Sequence, residues 1–107
     1  MKGTELSAEG AKIMLAAGWV RLWCANWRKP LPNALRGLSD NGYIRNEVLL
    51  FIEDKGDGDK MSDQQEWFKA KIDEHAPDNV HYLIAESVED YERFVNIRKE
   101  AKDGQDS

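Results

Sequence analysis

The chain has 107 residues, 33% of them charged and 41% hydrophobic, and a net charge of −5. That size describes one domain, 1–107, with a single core; no apolar run approaches the length of a membrane span, and no basic start is followed by an apolar core as a secretory signal requires. One cysteine, Cys24, cannot close an internal disulfide and fits a reducing cytoplasm, while two isolated histidines, His75 and His81, cannot build a structural zinc site.

A first helix is expected up to about Ala17. Thr4 or Ser7 would cap it, Leu6, Ile13, Met14 and Ala17 give its apolar stripe, and Gly18 stands just past its end. Gly10 weakens it. Glu5 and Glu9 are four residues apart and share a face. The aromatic and β-branched run Trp19–Trp27 predicts a strand with both faces largely covered. Arg28-Lys29-Pro30-Leu31-Pro32-Asn33 must be a loop, because two prolines prevent regular pairing. Asn33–Ser39 is ambiguous. Asp40-Asn41-Gly42 is a turn signal, with Asn41-Gly42 as a candidate hairpin tip before Tyr43–Asn46.

Charge is unevenly placed. From Trp19 to Asn46 five basic residues (Arg21, Arg28, Lys29, Arg36, Arg45) face one acid, Asp40, giving +4 and leaving −9 for the rest. With Trp19, Trp23, Trp27 and Tyr43 interleaved, the segment reads either as a nucleic-acid backbone surface or as core tryptophans with solvated arginines.

Val48–Lys55, VLLFIEDK, organises the chain. Five apolar residues predict a strand buried on both faces. Alternation then puts Glu53 and Lys55 on one face and Asp54 on the other. A carboxylate and an ammonium side by side at the lip of a buried strand suit a metal-dependent phosphodiesterase. Taken alone, the stretch fits better a strand end with solvated charges before the turn Gly56-Asp57-Gly58. The loop Gly56–Lys60 lacks the ligand ladder and closing glutamate of a calcium loop.

Ser62-Asp63-Gln64-Gln65 opens a helix with a capping-box pattern. Phe68 and Ile72 mark its apolar face, with Trp67 beside it. Gln65 heads that face, so it either closes the cap or points into a site beside the Val48 strand, or does both. Ala76-Pro77-Asp78-Asn79 ends the helix, and Val80–Glu86 is another strand. Ser87 caps a last helix, through Tyr91, Phe94, Val95 and Arg98, to about Ala101; Lys102–Ser107 is a polar tail. The order is α-β-β-β-α-β-α, an α/β fold with a small mixed sheet flanked by helices. The early strands form an antiparallel meander, and the helix between the Val48 and Val80 strands makes that pair parallel.

In this order Gly37-Leu38-Ser39-Asp40, Phe51-Ile52-Glu53-Asp54-Lys55, Ser62-Asp63-Gln64-Gln65 with Trp67, and Ser87-Val88-Glu89-Asp90 stand as a set. So do Gly18-Trp19-Val20 after the first helix and Trp27-Arg28. The set resembles the virus-type replication-repair nuclease (VRR-NUC) domains of the PD-(D/E)xK nuclease superfamily, over essentially the whole chain. The family's usual proline before the first aspartate is Ser39 here, and the segment between the first two strands is short and proline-rich. The resemblance implies a restriction-endonuclease-like core and a metal-dependent DNA endonuclease. It would act on branched or structured DNA, as junction-resolving enzymes of phages and prophages do, as a homodimer in the cytoplasm of a bacterial or phage-infected cell. Asp40, Glu53, Lys55 and Gln65 would be catalytic. Asp40, Glu53 and the Asp54 backbone carbonyl would hold Mg²⁺ or Mn²⁺, joined by an N-terminal glutamate, Glu5 in preference to Glu9. Arg21, Arg28, Lys29, Arg36 and Arg45 would contact DNA phosphates. The alternative is a catalytically inactive module of the same fold that binds DNA or a protein partner.

Overall fold

The computed structural model describes residues 1–24 and 39–99. The expected end of the first strand (25–27), the proline-rich loop, Gly37-Leu38, and the last helical residues with the polar tail lie outside the described residues.

Seven elements follow in the expected order: α1 (Gly3–Ala16), β1 (Val20–Cys24), β2 (Asn41–Arg45), β3 (Val48–Asp54), α2 (Asp63–His75), β4 (Val80–Ala85) and α3 (Val88–Phe94). The strands form one mixed sheet in the order β1-β2-β3-β4. β1 and β2, and β2 and β3, pair antiparallel, whereas β3 and β4 pair parallel across α2. Among the described residues no helix is long and apolar enough to cross a membrane.

β3 is central because it carries apolar side chains on both faces. Val48, Leu50 and Ile52 join Leu6, Met14, Trp19, Tyr43, Ala85, Tyr91 and Phe94 in the core beneath α1 and α3. On the other face Phe51 stacks on Tyr82 (5.4 Å from Trp23, 6.1 Å from Tyr82, centroid to centroid), and Phe68 of α2 closes over Phe51 and Tyr82. Trp67 of α2 points outward, 62% exposed.

Several local expectations change. The N-cap of α1 is Lys2 and forms no side-chain cap bond; Thr4 lies inside the helix, and Ser7 bonds to Asn41 of β2. Gly10 is a close-approach position: a Cβ there would lie 2.3 Å from the Tyr91 ring. β1 is not covered on both faces, since Val20 and Leu22 stay exposed and the register slips between Arg21 and Trp23. Asn41-Gly42 is not a hairpin tip but the start of β2, where Gly42 leaves room for the Trp23 ring. The tight turn falls at Asn46-Glu47, both with positive φ (47° and 69°), which closes a two-residue hairpin between Arg45 and Val48. α3 stops at Phe94 rather than near Ala101. A continuing helix would offer the Val95 carbonyl to the fourth N–H beyond it. That carbonyl instead accepts from Trp19 Nε1 and Arg45 Nη2.

Candidate active site

β2 and β3 pair no further than Asn41 opposite Ile52. Beyond that point the backbone amides need other acceptors, and carboxylates supply them. The Asp40 N–H donates to Glu53 Oε1 at 3.2 Å, and the Asp54 N–H donates to Asp40 Oδ2 at 3.0 Å. Two acids thirteen positions apart are thereby laced across the strand ends. Asp40 is itself pinned from the preceding residue: Ser39 is buried and its hydroxyl donates to the Asn41 carbonyl at 2.7 Å. Trp23 Nε1 donates to the Ser39 carbonyl at 3.0 Å. Ser39 therefore helps to fix Asp40 by hydrogen bonding.

Glu53 is fully buried. Burial, and then the adjacent Asp40 carboxyl, hold its pKa well above the ordinary carboxylate range; Lys55 opposes the shift. The shift favours the neutral form of Glu53 beside Asp40.

Gln65 resolves the choice left open by the sequence, because its side chain does both jobs. Oε1 accepts from the Ser62 N–H at 2.9 Å and, with the Ser62 hydroxyl accepting from the Gln65 N–H at 3.2 Å, completes the capping box. The same Oε1 accepts from Lys55 Nζ at 3.1 Å, and Nε2 donates to Glu53 Oε2. The start of α2 is thus tied to Glu53 and Lys55 at the β3 end. Lys55 is held from the other side by its backbone N–H, which donates to the Ala85 carbonyl of β4 at 2.8 Å.

Asp40 and Lys55 open into a cleft of about 680 Å³, whose wall includes Ser7, Arg21, Cys24 and Asp54. The start of α1 and the loop Gly56–Asp59 close one end. There Met1's amino group pairs with Asp57 at 2.6 Å, and the Gly56 N–H donates to Asp59 at 2.9 Å. Gly56 has to be glycine by space: a Cβ would stand 2.4 Å from the Gly3 nitrogen. The acidic loop is a clamp on α1.

The other predicted residues divide. Arg21 lines the cleft, its Nη2 donating to Asn41 Oδ1 at 2.6 Å and to Ser7 Oγ at 3.3 Å. Arg45 lies at the opposite end of β2. Its two terminal nitrogens donate to the carbonyls of Ala17 (2.7 Å) and Val95 (2.9 Å), and it stacks on Trp19 at 4.7 Å, so its donors serve the fold. Arg28, Lys29 and Arg36 lie outside the described residues. Glu5 is exposed, and Glu9 pairs with Lys12; neither lines the cleft, where α1 contributes Thr4 and Ser7 instead. Among the described residues no three His, Cys, Asp or Glu side chains converge as a metal cluster. The acids brought together are the pair Asp40 and Glu53. The Asp54 carbonyl abuts the start of α1, where a Cβ on Gly3 would sit 3.4 Å from it.

The sequence reading misses one group. The Asp54 side chain is buried on the core face, accepting from Asn41 Nδ2 and the Tyr91 hydroxyl. Burial raises its pKa to about 7, against the effect of the Tyr91 bond. The signal is present in the sequence: alternation through Val48, Leu50 and Ile52 puts position 54 on the core face, where a carboxylate requires donors.

A scan against protein-family models, a search of curated proteins and a search of solved structures each found no match.

Proposed function

We propose that the protein is a Mg²⁺- or Mn²⁺-dependent nuclease that hydrolyses phosphodiester bonds in DNA. The observation that carries this reading is the joining of Asp40, Glu53, Lys55 and Gln65 at the end of one buried strand. Glu53 and Asp40 are set close enough to oppose each other's charge, and Gln65 spans Glu53 and Lys55.

The donor set fits a small hard cation. Mg²⁺ is commonly held by one or two carboxylates, with water and phosphate completing the shell. Asp40 and Glu53 supply two carboxylates; Asp40 Oδ2 and both Glu53 oxygens each take one N–H and retain acceptor capacity beyond it. Such a cation, when bound, supplies positive charge for the phosphoryl oxygens and acidifies water. Burial of Glu53 keeps the site's dielectric low and strengthens the attraction. Lys55 faces the cleft as a point cation, placed by Gln65 to stabilise negative charge developing on the phosphate. Gln65, fixed by its cap, keeps Glu53 and Lys55 from collapsing onto each other. Arg21 offers a second positive group on the cleft wall for a neighbouring phosphate.

The branched-DNA preference and the two-fold homodimer rest on the resemblance: cutting two strands symmetrically takes two copies of the site. A second reading, a DNA- or protein-binding module without catalysis, draws on the acidic lining of the cleft, where Asp40, Asp54, Asp57 and Asp59 outnumber Lys2, Arg21 and Lys55. Incubation with branched and linear DNA separates the two. The nuclease cleaves with Mg²⁺ or Mn²⁺, is silent in EDTA, and loses activity in Glu53→Ala and Lys55→Ala. Cleavage that survives either substitution refutes the assignment, and metal-independent DNA binding without cleavage supports the second reading.

A further inference from the structure

Along the wall of the same cleft, on the core side of β3, lies a buried polar network of which the proposed chemistry uses only Arg21. Asp54 is 5% exposed, and its two carboxylate oxygens accept from Asn41 Nδ2 and from the Tyr91 hydroxyl. Asn41, also buried, passes the connection on: its Oδ1 accepts from Arg21 Nη2 at 2.6 Å and from Ser7 Oγ at 3.4 Å. Side chains from α1, β1, β2, β3 and α3 are therefore linked, directly or through Asn41, to one carboxylate. An apolar side chain at position 54 would extend the Val48–Leu50–Ile52 stripe without the desolvation penalty of a buried acid. The geometry around Tyr91 is equally specific. Its ring fits against α1 because Gly10 carries no Cβ, and the Phe94 ring meets it edge-on at 5.7 Å.

What this network fixes is the backbone beneath the site. Asn41 directly follows Asp40, and Asp54 directly follows Glu53. The clasp between the 41 and 54 side chains therefore bears on the backbone next to residues 40 and 53. The Asp54 N–H, donated to Asp40 Oδ2 at 3.0 Å, carries any movement of Asp54 straight to the Asp40 carboxylate. We propose that Asn41, Asp54 and Tyr91 are positioning residues that set the separation of the Asp40 and Glu53 carboxylates, with Tyr91 coupling that separation to the seating of α3. This inference rests on the reading of Asp40 and Glu53 as the metal-holding pair of a nuclease.

Tyr91→Phe tests it, since the ring and its packing stay and only the hydroxyl goes. Steady-state cleavage is measured against DNA and Mn²⁺ concentration, and Mn²⁺ affinity by titration calorimetry without DNA, at a temperature where melting curves show the variants folded. Supporting-partner substitutions around metal ligands typically cost about 10–100-fold, so kcat should fall at least about tenfold and half-saturating Mn²⁺ should rise, with KM for DNA unchanged. Asn41→Asp sets two carboxylates face to face and should lose activity. Adding Asp54→Asn restores donor opposite acceptor, with the new carboxylate at position 41 still accepting from Arg21, and should recover most of the rate. A Tyr91→Phe protein with wild-type kcat and Mn²⁺ dependence, whatever its melting temperature, overturns the inference. So does a folded double variant that recovers nothing. Wild-type protein without metal-dependent cleavage would instead overturn the functional reading, and this inference with it.

Discussion

Gln65 carries two roles that two substitutions can pull apart. Ser62→Ala removes the hydroxyl that accepts from the Gln65 N–H, but leaves the Ser62 N–H holding Gln65 Oε1. It should cost about 1 kcal/mol, the usual worth of an N-cap acceptor. Gln65→Ala loses the other half of the box and also the bonds to Lys55 and to the fully buried Glu53. Leaving a buried acceptor without its donor adds about 1–3 kcal/mol to the cap loss, so the total is about 2–4 kcal/mol. For a domain near this size 1 kcal/mol moves Tm by roughly 4–8 °C, so Ser62→Ala should melt about 5 °C below wild type and Gln65→Ala about 10–20 °C below. Circular-dichroism melts read that difference. Single-turnover cleavage at a temperature where all three proteins are folded reads the other half. Ser62→Ala should cut at the wild-type rate, and Gln65→Ala should be slower by about 10²-fold, the scale of losing one positioned catalytic donor. Equal rates for both variants would reduce Gln65 to a helix cap and refute its place in the site.

Three further outcomes follow from the geometry. Arg45→Ala should lower stability by about 2 kcal/mol, through two carbonyls losing charged donors and the lost stacking on Trp19, while DNA affinity at fixed salt stays unchanged. Gly10→Ala should lower Tm despite alanine's better helix propensity, because the new methyl group meets the Tyr91 ring at 2.3 Å. In metal-free protein the raised pKa of Glu53 stabilises the fold below the ordinary carboxylate value of 4.5 and loses that contribution as pH rises through the raised value. Glu53→Gln should therefore flatten the decline of Tm above pH 4.5, and saturating Mn²⁺ should reverse the decline in wild type only.

The element order is legible because the strongest signals are local and repeated. VLLFIEDK reads as a central strand, Ser62-Asp63-Gln64-Gln65 reads as a helix start, and a helix between two apolar strands requires a parallel crossover. The Glu53/Lys55 face follows from alternation alone. Signals that depend on neighbours distant in sequence mislead. Asn41-Gly42 has hairpin chemistry, yet its glycine answers to the Trp23 ring and the turn falls at Asn46-Glu47. Arg45 belongs to a basic segment by composition, but by position it reaches two carbonyls that close α1 and α3. Glu5 stands at a suitable distance from Gly18, and that distance does not say which way the helix faces. Asp54 looks like a spacer because its partners, Asn41 and Tyr91, come from elements whose approach only the folded chain defines.

The most direct measurement is anomalous diffraction from crystals grown with Mn²⁺. The account predicts one peak between the carboxylates of Asp40 and Glu53, lost in Glu53→Gln. No peak there at saturating Mn²⁺, or a peak unaffected by that substitution, would contradict it.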